Sequence, residues 1–263
     1  MRVPLISILM AVYNEEKSIL KSIKSIQNQT FKNWELIIID DCSKDKTFKL
    51  ISKLIFKNSK IKLIKNSRNL GLSESLNKGI KLARAKYIAR ADADDINLPD
   101  RLKKQYQFLL ENKKIDALGT GAWLIDKNGK RHKSAFFNKK FSIHDSKIFS
   151  KPIFFHPSVM FRKRFFRKVG VYNPNFLRAQ DKELWLRGLK KGAIYSNLSE
   201  ALIEYNTRNY VRSWKEIFLT TTSLTRLQKI YKFRFGYIFI VKFILFSILT
   251  NLKIYKPLTR SFF

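Results

Sequence analysis

Four aspartates stand close together in YIARADADDINLPDRL, residues 87–102, although the chain is otherwise strongly basic. Lys and Arg number 53 against 20 Asp and Glu, which gives a formal net charge of +33. Asp92 and Asp94 project to the same side if the backbone between them is extended. Carboxylate oxygens are ligands for hard divalent cations, and such a cation can neutralise a nucleoside diphosphate. The alternative is a solvated acidic turn with helix caps, and it fits Asp100, because Pro99-Asp100-Arg101 has the composition of a first helical turn.

Strand patterns precede these aspartates and recur through the first hundred residues. Apolar runs predict strands at residues 5–10, 34–40, 61–64 and 87–89. The run WELIIID, at 34–40, is apolar enough to be buried on both faces, as in a parallel sheet.

Helical periodicity follows each of the first three predicted strands. The first helix is expected to be capped by Asn14, the second covers residues 46–56, and the third is expected to be capped by Ser73. Their apolar positions are Ile19, Leu20, Ile23 and Ile26 in the first helix and Leu76, Ile80 and Ala83 in the third. The alternation of strand and helix predicts an α/β fold with a doubly wound, mostly parallel sheet.

Polar residues follow three of the predicted strands at their carboxyl ends. VYNEE follows the first strand, DDCSKD the second and RADADD the fourth. In open α/β sheets ligands bind beyond the carboxyl ends of the strands. We therefore expect these three segments to meet at one edge of the sheet and to form a single site.

Five stretches of the sequence carry a resemblance to a known family. They are SILMAVYNEEKSILKSIKSIQNQTFKNWELIIIDDCSKDKT, NLGLSESLNKGI, YIARADADDINLPDRLKKQ, HPSVMFRK and QDKELWLR. On these stretches, which span residues 3–208, the chain resembles the family 2 glycosyltransferases of the GT-A fold, inverting enzymes that use nucleotide sugars. It is most similar to the bacterial branch that builds surface polysaccharide and lipooligosaccharide. The resemblance implies a GT-A domain at 1–208, with a nucleotide-sugar-binding half (1–100) and an acceptor and catalytic half (101–208), before a helical basic segment at 209–263.

The resemblance implies that the loops after the first two strands bind the donor, a nucleotide sugar. Ala11, Tyr13 and Glu15 would form one wall of the nucleotide pocket, with Tyr13 near the base. Asp41 would accept a hydrogen bond from a uracil N–H. The alternative for Asp40 and Asp41 is to cap the turn at residues 43–45.

The aspartate cluster would hold the metal ion that the resemblance implies, Mn²⁺ or Mg²⁺. Asp94 would be the direct ligand, and Asp92 would lie near the ribose or a metal-bound water. Asp95 would complete the metal site by supporting these two side chains.

The resemblance places the catalytic base at Asp181, in AQDKELW. Inverting transfer is a direct displacement at the anomeric carbon, so one carboxylate must take the proton of the acceptor hydroxyl. The alternative is that Asp181 only caps a helix predicted at 181–191, which Gly192 would end. Gln180 replaces the usual Glu of the family pattern and Lys182 a common aromatic, and both departures bear on acceptor specificity.

Three further residues are candidates on the same resemblance. His156, in FFHPSVMF, would line the pocket near the diphosphate or the acceptor, and the alternative is a packed core histidine. Arg208, after IEYNT, would lie on a loop that closes over the phosphates, although the family more often has Arg directly after the Tyr, where this chain has Asn206. Trp185 is either a core residue or a platform for the acceptor sugar.

The net charge indicates a polyanionic neighbour, which is a nucleic acid, an anionic membrane surface or a phosphorylated substrate. AT-rich coding bias is an alternative source of part of the lysine excess. A nucleic-acid-binding protein without catalytic activity is the competing hypothesis. It explains the charge and the aromatic content, but it leaves the aspartates at the strand ends unexplained and has no RNP-like, helix-turn-helix or zinc-finger signature. The one cysteine, Cys42, excludes an internal disulfide.

The C-terminal stretch FRFGYIFIVKFILFSIL, residues 233–249, is strongly apolar but contains Arg234 and Lys242. It falls short of the roughly 20 apolar residues that a membrane-spanning helix needs. We expect a cytoplasmic enzyme held peripherally at the inner face of a bacterial plasma membrane, where a lipid-linked acceptor is presented. The alternative is an ordinary helix packed on the domain. The sequence assigns no particular sugar, linkage or oligomeric state.

Overall fold

A computed structural model describes residues 3–56, 58–126, 128–134, 152–207, 213–232 and 236–251. The strands are β1 Ile6–Val12, β2 Trp34–Asp40, β3 Ile61–Lys65, β4 Tyr87–Arg90, β5 Ile96–Asn97, β6 Ala117–Ile125, β7 Arg131–Ser134, β8 Met160–Arg162 and β9 Tyr195–Asn206. The helices are α1 Ile19–Gln27, α2 Thr47–Ile55, α3 Leu72–Leu82, α4 Arg101–Glu111, α5 Lys163–Val169, α6 Gln180–Lys190, α7 Trp214–Tyr231 and α8 Gly236–Asn251, with a 3₁₀ turn at His156–Ser158.

The strands of the described ranges form one sheet in the order β3-β2-β1-β4-β8-β6-β9-β5, with β7 paired to β6. Strands β1 to β4 run parallel to one another, and β1 lies between β2 and β4. Beyond β4 the sheet becomes mixed, since β8 is antiparallel to β4 and β6, whereas β9 is parallel to β6. This topology confirms the predicted α/β sheet, and it extends the parallel half by antiparallel pairings that the sequence did not indicate.

Helices cover both faces of the sheet. The side chains of β2 alternate between the two cores, because Leu36 and Ile38 pack with Ile19 of α1 on one face. Ile37 and Ile39 pack on the other face, in a cluster that α3, α5, α6, α7 and α8 also join. The prediction that residues 34–40 are buried on both faces is therefore confirmed.

The predicted caps of two helices are wrong. Helix α1 has Ser18 as its N-cap, while Asn14 lies four residues earlier with a positive φ of 56°. Helix α3 has Gly71 as its N-cap, so Ser73 lies inside its first turn. In α1 the predicted apolar face holds for Ile19, Ile23 and Ile26, but Leu20 is exposed because it lies about 100° around the helix from Ile19.

Helices α7 and α8 pack on the same core as the sheet. Leu224 and Leu227 of α7 and Ile240 of α8 are buried in the cluster that contains Leu9 of β1. Ser213 caps α7, since its side chain accepts a hydrogen bond from the amide of Glu216 in a capping box. In the part of the chain that the structure describes, no helix is both long enough and apolar enough to cross a membrane.

Candidate functional site

The loops that follow β1 and β2 are joined by hydrogen bonds. The amide of Asn14 donates to Ser43 Oγ at 3.1 Å, and the amide of Lys44 donates to Asn14 Oδ1 at 2.8 Å. The amide of Glu15 donates to Thr47 Oγ1 at 2.8 Å. Asn14 tolerates its left-handed backbone because a short polar side chain can bond locally in that conformation. The two loops predicted to bind the donor therefore form one continuous wall.

Asp41 is buried at the junction of β2 and the loop before α3. Its Oδ1 accepts hydrogen bonds from Asn66 Nδ2 and from the amide of Leu70, both at 2.8 Å. Its Oδ2 accepts a hydrogen bond from the amide of Gly71 at 2.8 Å. A carboxylate oxygen has two lone pairs, so Oδ2 keeps one acceptor position for a ligand.

Asp40, one residue earlier, has the capping role that was the alternative for this pair. Its Oδ2 accepts a hydrogen bond from the amide of Ser43 at 3.2 Å. Its Oδ1 is buried and has no hydrogen-bond partner among the described residues.

The side chains of the first loop lie beside this junction. Ala11 is partly buried near the end of β1, and Tyr13 is 43% exposed. Glu15 Oε2 accepts a hydrogen bond from Ser18 Oγ at 2.6 Å. The charge of Glu15 also raises the pKa of Asp94, so the first loop reaches the aspartate cluster.

Asp92, Asp94 and Asp95 form a compact cluster at the carboxyl end of β4. One oxygen from each of the three carboxylates lies within 4.8 Å of the others. Asp95 is buried; its Oδ1 accepts a hydrogen bond from the amide of Asn206 at 2.8 Å, and its Oδ2 has no partner within the described ranges. The cluster therefore has a buried carboxylate oxygen that no donor in the described residues satisfies.

The pKa values of the cluster show how poorly three negative charges are accommodated there. Burial and then the charges of Asp92 and Glu15 raise the pKa of Asp94 to about 7. Burial and then the charges of Asp92 and Asp94 raise the pKa of Asp95 well above its ordinary value. A divalent cation would remove this repulsion, and an all-oxygen donor set suits Mg²⁺ or Mn²⁺. The residues present fit the predicted metal.

Arg90, the last residue of β4, is a site residue that the sequence reasoning missed. Its side chain is buried, its Nη1 forms an ion pair with Asp92 Oδ1, and the same Nη1 donates to the carbonyl of Ala91 at 2.6 Å. Its charge lowers the pKa of Asp94, Asp95 and Asp181. An arginine that ends a buried strand next to aspartates was the available signal, because a buried arginine needs a charged partner.

Asp181 lies in the first turn of α6 but does not cap it. The N-cap is Ala179, with a positive φ of 54°, so Asp181 is the second helical residue and the alternative of a simple N-cap is wrong. Burial raises the pKa of Asp181, while the amide and the charge of Lys182 lower it. Burial lowers the pKa of Lys182 to about 8, against the opposing effect of Asp181.

Asp181 lies near the aspartate cluster, as the charges that act on the partly buried Tyr205 of β9 indicate. Burial raises the pKa of Tyr205 and so, in decreasing order, do the charges of Asp95, Asp92, Asp94 and Asp181. Tyr172, on another segment, also lies near both Asp181 and the aspartate cluster, since its pKa is raised by burial and then by the charges of Asp181 and Asp92. Sequence reasoning singled out neither tyrosine as a site residue, because each acts through its position in the fold.

The rings of His156 and Trp185 contact each other, with 6.0 Å between their centroids. His156 Nε2 is 2.8 Å from the hydroxyl oxygen of Tyr172, and burial followed by the charge of Arg90 lowers the pKa of the imidazole well below its usual value. Trp185 is 2% exposed and stacks on Phe161 at 5.5 Å between ring centroids. Trp185 is therefore a core residue, and of its two predicted roles the sugar platform is wrong.

Arg208 lies outside the described residues. The segment before it ends at the site, because the amide of Asn206 donates to Asp95 and the amide of Thr207 donates to the carbonyl of Ile125 at 3.0 Å.

Known proteins resemble this chain over most of its length. A family model described as glycosyl transferase family 2 matches residues 7–170. The uncharacterized glycosyltransferase MJ1057 of Methanocaldococcus jannaschii is 36% identical over 219 residues, which cover 81% of this chain and 75% of that protein. The O-antigen biosynthesis glycosyltransferase WbnJ of Escherichia coli is 36% identical over 212 residues, which cover 78% of this chain and 80% of that protein.

A solved structure has the same fold. Residues 1–349 of S. aureus TarS in complex with UDP-GlcNAc superpose with a TM-score of 0.68 at 19% identity. The match covers 85% of this chain and 66% of that one. At this identity the likeness shows the fold alone, and it confirms the predicted fold class.

Proposed function

The chain belongs to glycosyltransferase family 2, and on that premise we propose that it transfers a sugar from a nucleoside-diphosphate donor, a UDP-sugar, to a saccharide or lipid-linked saccharide acceptor. The transfer inverts the anomeric carbon and serves cell-surface polysaccharide biosynthesis. Family membership sets aside the hypothesis of a non-catalytic nucleic-acid-binding protein. The observation that carries the proposal is that the three clustered aspartates and Asp181 all lie near Tyr205, whose pKa is raised by the charge of each.

Two relatives support the choice of substrates. WbnJ is named for O-antigen biosynthesis, and it matches this chain over most of both sequences. TarS was solved with UDP-GlcNAc, and its fold is the fold of this chain. In this proposal the uridine lies against Tyr13, Ala11 and Glu15, with Asp41 Oδ2 as the acceptor for the base.

The metal belongs at the aspartate cluster. Asp94 would bind Mn²⁺ or Mg²⁺ directly, with Asp92 and Asp95 completing the site. When bound, the cation supplies positive charge to the diphosphate of the departing UDP. Arg90 holds Asp92 in place through its ion pair, and Arg208 is assigned to the phosphates as predicted from the family pattern.

The chemical step is a single displacement. The carboxylate of Asp181 takes the proton of the acceptor hydroxyl, and the acceptor oxygen forms a bond to the anomeric carbon from the face opposite UDP. The bond between that carbon and the diphosphate oxygen breaks, and UDP leaves with the electron pair. Burial of Asp181 raises its pKa and so makes it a stronger proton acceptor than an exposed aspartate. His156, whose pKa is lowered by burial, would lie beside the reacting groups without adding charge.

Donor hydrolysis tests this proposal. UDP-Glc, UDP-Gal, UDP-GlcNAc, UDP-GalNAc and GDP-Man are each incubated with the protein, and release of UDP or GDP is measured with and without Mn²⁺ or Mg²⁺. We expect metal-dependent UDP release from one UDP-sugar and its loss in Asp94→Ala. The control is Asp100→Ala, because Asp100 is exposed and its side chain forms a hydrogen bond only with Thr30 among the described residues. Metal-independent release, or none from any donor by folded protein, would overturn the proposal.

Peripheral membrane attachment at the cytoplasmic face is part of the same proposal. Helix α8 buries Ile240 against the domain, while Tyr237, Ile238, Val241 and Leu245 are exposed. Lys242 is exposed beside them, as expected for a helix that lies at an anionic interface. One side of α8 is thus packed on the domain, and its other side is available to lipid.

Flotation with phosphatidylglycerol vesicles tests the attachment. Val241→Ser/Leu245→Ser should reduce the bound fraction while leaving the packed side of α8 intact. The matched control is Leu20→Ser/Phe56→Ser, which removes two exposed apolar side chains from α1 and the end of α2. Equal flotation of the α8 variant and the control would contradict the role of α8.

A further inference from the structure

A second groove lies at the opposite edge of the sheet from the aspartate cluster. It opens at the amino-terminal ends of β1 and β4, where Val3, Pro4 and Leu5 lie beside residues 84–87, and it has a volume of about 680 Å³. Strand β1 has seven residues, so the groove lies about 20 Å from the carboxyl ends of the strands. Seven of its lining residues are Lys or Arg, and none is Asp or Glu. The groove is therefore a separate and strongly positive feature.

Two of these cations are built into the wall. Arg162 is buried, and it donates through Nε to the carbonyl of Ile115 at 2.8 Å and through Nη1 to Tyr87 Oη at 3.0 Å. Lys163 Nζ donates to the carbonyl of Ala83 at 2.6 Å. These contacts fix the floor of the groove without cancelling its charge, because carbonyl and hydroxyl oxygens are neutral acceptors.

Two more of the lining cations have carboxylate partners outside the groove. Arg84 Nε lies 2.9 Å from Glu35 Oε2, and Arg164 Nε lies 3.1 Å from Asp116 Oδ1. A smaller neighbouring cavity of about 300 Å³ contains Asp116 itself, which forms ion pairs with Arg164 and Lys168 there. That contrast makes the larger groove the site at which positive charge accumulates.

Three cations at the mouth of the groove have no ion pair in the described part of the chain. They are Lys86, Lys113 and Arg167, all exposed, and they come from three different segments of the fold. Like charges that converge on one concave volume repel one another, and a bound polyanion removes that repulsion. Lys and Arg are the side chains that hold phosphate groups in proteins.

Apolar side chains line one side of the same groove. Val3, Leu5 and Leu110 are exposed there, next to the unpaired cations. A volume of this size falls in the range of roughly 300–1,000 Å³ that is typical of small-molecule sites. The cations surround a concavity rather than lie on a flat face, which favours a small soluble ligand over a membrane surface.

We propose that this groove is a second anion site, which binds a small soluble molecule carrying two or more phosphate groups. It needs no metal ion, since its own cations meet the phosphates directly. It is independent of the donor site, because no carboxylate lines it and the length of the strands separates the two sites.

Isothermal titration with tripolyphosphate tests the site on protein freed of divalent cations by a chelating resin. The test variant is Lys86→Gln/Lys113→Gln/Arg167→Gln. The control, Lys49→Gln/Lys53→Gln/Lys62→Gln, removes the same charge from exposed positions on α2 and β3. We expect the groove variant to weaken binding by about tenfold or more, since charge-assisted hydrogen bonds are lost. The control should weaken it by less than about twofold, since screened distant charges contribute little.

A second variant and an activity measurement show whether binding occurs in the groove. Leu110→Glu places a carboxylate at the rim of the groove and should weaken tripolyphosphate binding independently. UDP release by the groove variant should equal that of the unaltered enzyme. Three results would overturn the proposal: equal weakening in both triple variants, no binding of tripolyphosphate, or binding of phosphatidylglycerol vesicles through these residues without binding of tripolyphosphate.

Discussion

Asp94 and Asp181 are both partly buried carboxylates with raised pKa values, but their neighbours differ. The pKa of Asp94 is raised by burial and by two negative neighbours, Asp92 and Glu15. The pKa of Asp181 is raised by burial alone, and a positive neighbour, Lys182, opposes the shift. A divalent cation relieves the first kind of shift, whereas the second kind gives a proton acceptor. The two environments therefore suit the roles proposed for them, metal ligand for Asp94 and general base for Asp181.

The role of Asp181 predicts the effect of removing its basicity alone. Asp181→Asn keeps the shape of the side chain but cannot accept the acceptor proton. We expect kcat for transfer to fall by about 10²–10⁴, the usual contribution of a general base. UDP affinity, measured by titration in the presence of Mn²⁺, should be nearly unchanged. Asp100→Asn is the control, and near-normal turnover in Asp181→Asn would show that another group is the base.

The raised pKa of Asp181 also predicts a pH dependence. The base works only when ionised, so kcat should fall as the pH drops through that raised pKa, at a higher pH than for an ordinary aspartate. The charge of Lys182 lowers the pKa of Asp181. Lys182→Met should therefore move the acid limb of the kcat profile to higher pH. A limb that does not move, measured with saturating donor and metal, would contradict the assignment.

At the scale of elements, α6 determines where Asp181 points. Arg187 ties the helix to its surroundings, donating through Nη1 to the carbonyl of Val169 at 2.6 Å and through Nε to Glu183 at 2.8 Å. Gly188 allows the close approach of β9, because a Cβ atom there would lie 1.9 Å from Tyr195 Oη. The same hydroxyl donates to the carbonyl of Trp185 at 3.0 Å. The packing of α6 on β9 thus depends on one small residue.

Gly188→Ala tests that packing. The added methyl group must displace Tyr195, so the free energy of unfolding should fall by about 1–3 kcal/mol, as for other overpacked cores. The gain in helix propensity from alanine, about 1 kcal/mol, offsets only part of this cost. Tyr195→Phe removes the atom that clashes, so the double variant should lose less than the sum of the two single variants in a denaturant titration. Strict additivity would show that the contact does not limit the packing.

At the scale of the whole molecule, the two edges of the sheet have opposite electrostatic character. The carboxyl edge gathers the four carboxylates around Tyr205, and the amino edge carries the basic groove. The proposed donor site draws on the loops after β1, β2 and β4 and on α6, so a ligand bound there would contact segments from both halves of the chain.

This arrangement predicts that the donor product and the metal stabilise the fold together. UDP with Mn²⁺ should raise Tm, and a hundredfold excess over Kd corresponds to about 2.7 kcal/mol of unfolding free energy. Removing the metal with a chelator should abolish the shift, as should Asp94→Ala. UDP alone is the control, and an equal shift without metal would contradict the assignment of the aspartate cluster.

Local patterns accounted for the elements of the first half and for the residues at the strand ends. Periodicity located β1 to β4 and α1 to α3 because the spacing of apolar residues is a property of the nearby chain. The order of these elements then placed the loops after β1, β2 and β4 at one edge of a parallel sheet. The cap positions were harder to predict from local sequence. Gly71 is the N-cap of α3, and its amide donates a hydrogen bond to Asp41, which is thirty residues away in sequence.

The sequence by itself therefore determined the family, the parallel core and the identity of the acidic residues. Only the tertiary structure decided that Arg90 is buried against Asp92, that Trp185 belongs to the core and that Tyr205 lies near both Asp94 and Asp181. It also decided that cations from three separate segments meet in one groove. The physical reason is that burial and electrostatic interaction depend on distance in space, and residues far apart in sequence acquire that distance only when the chain folds.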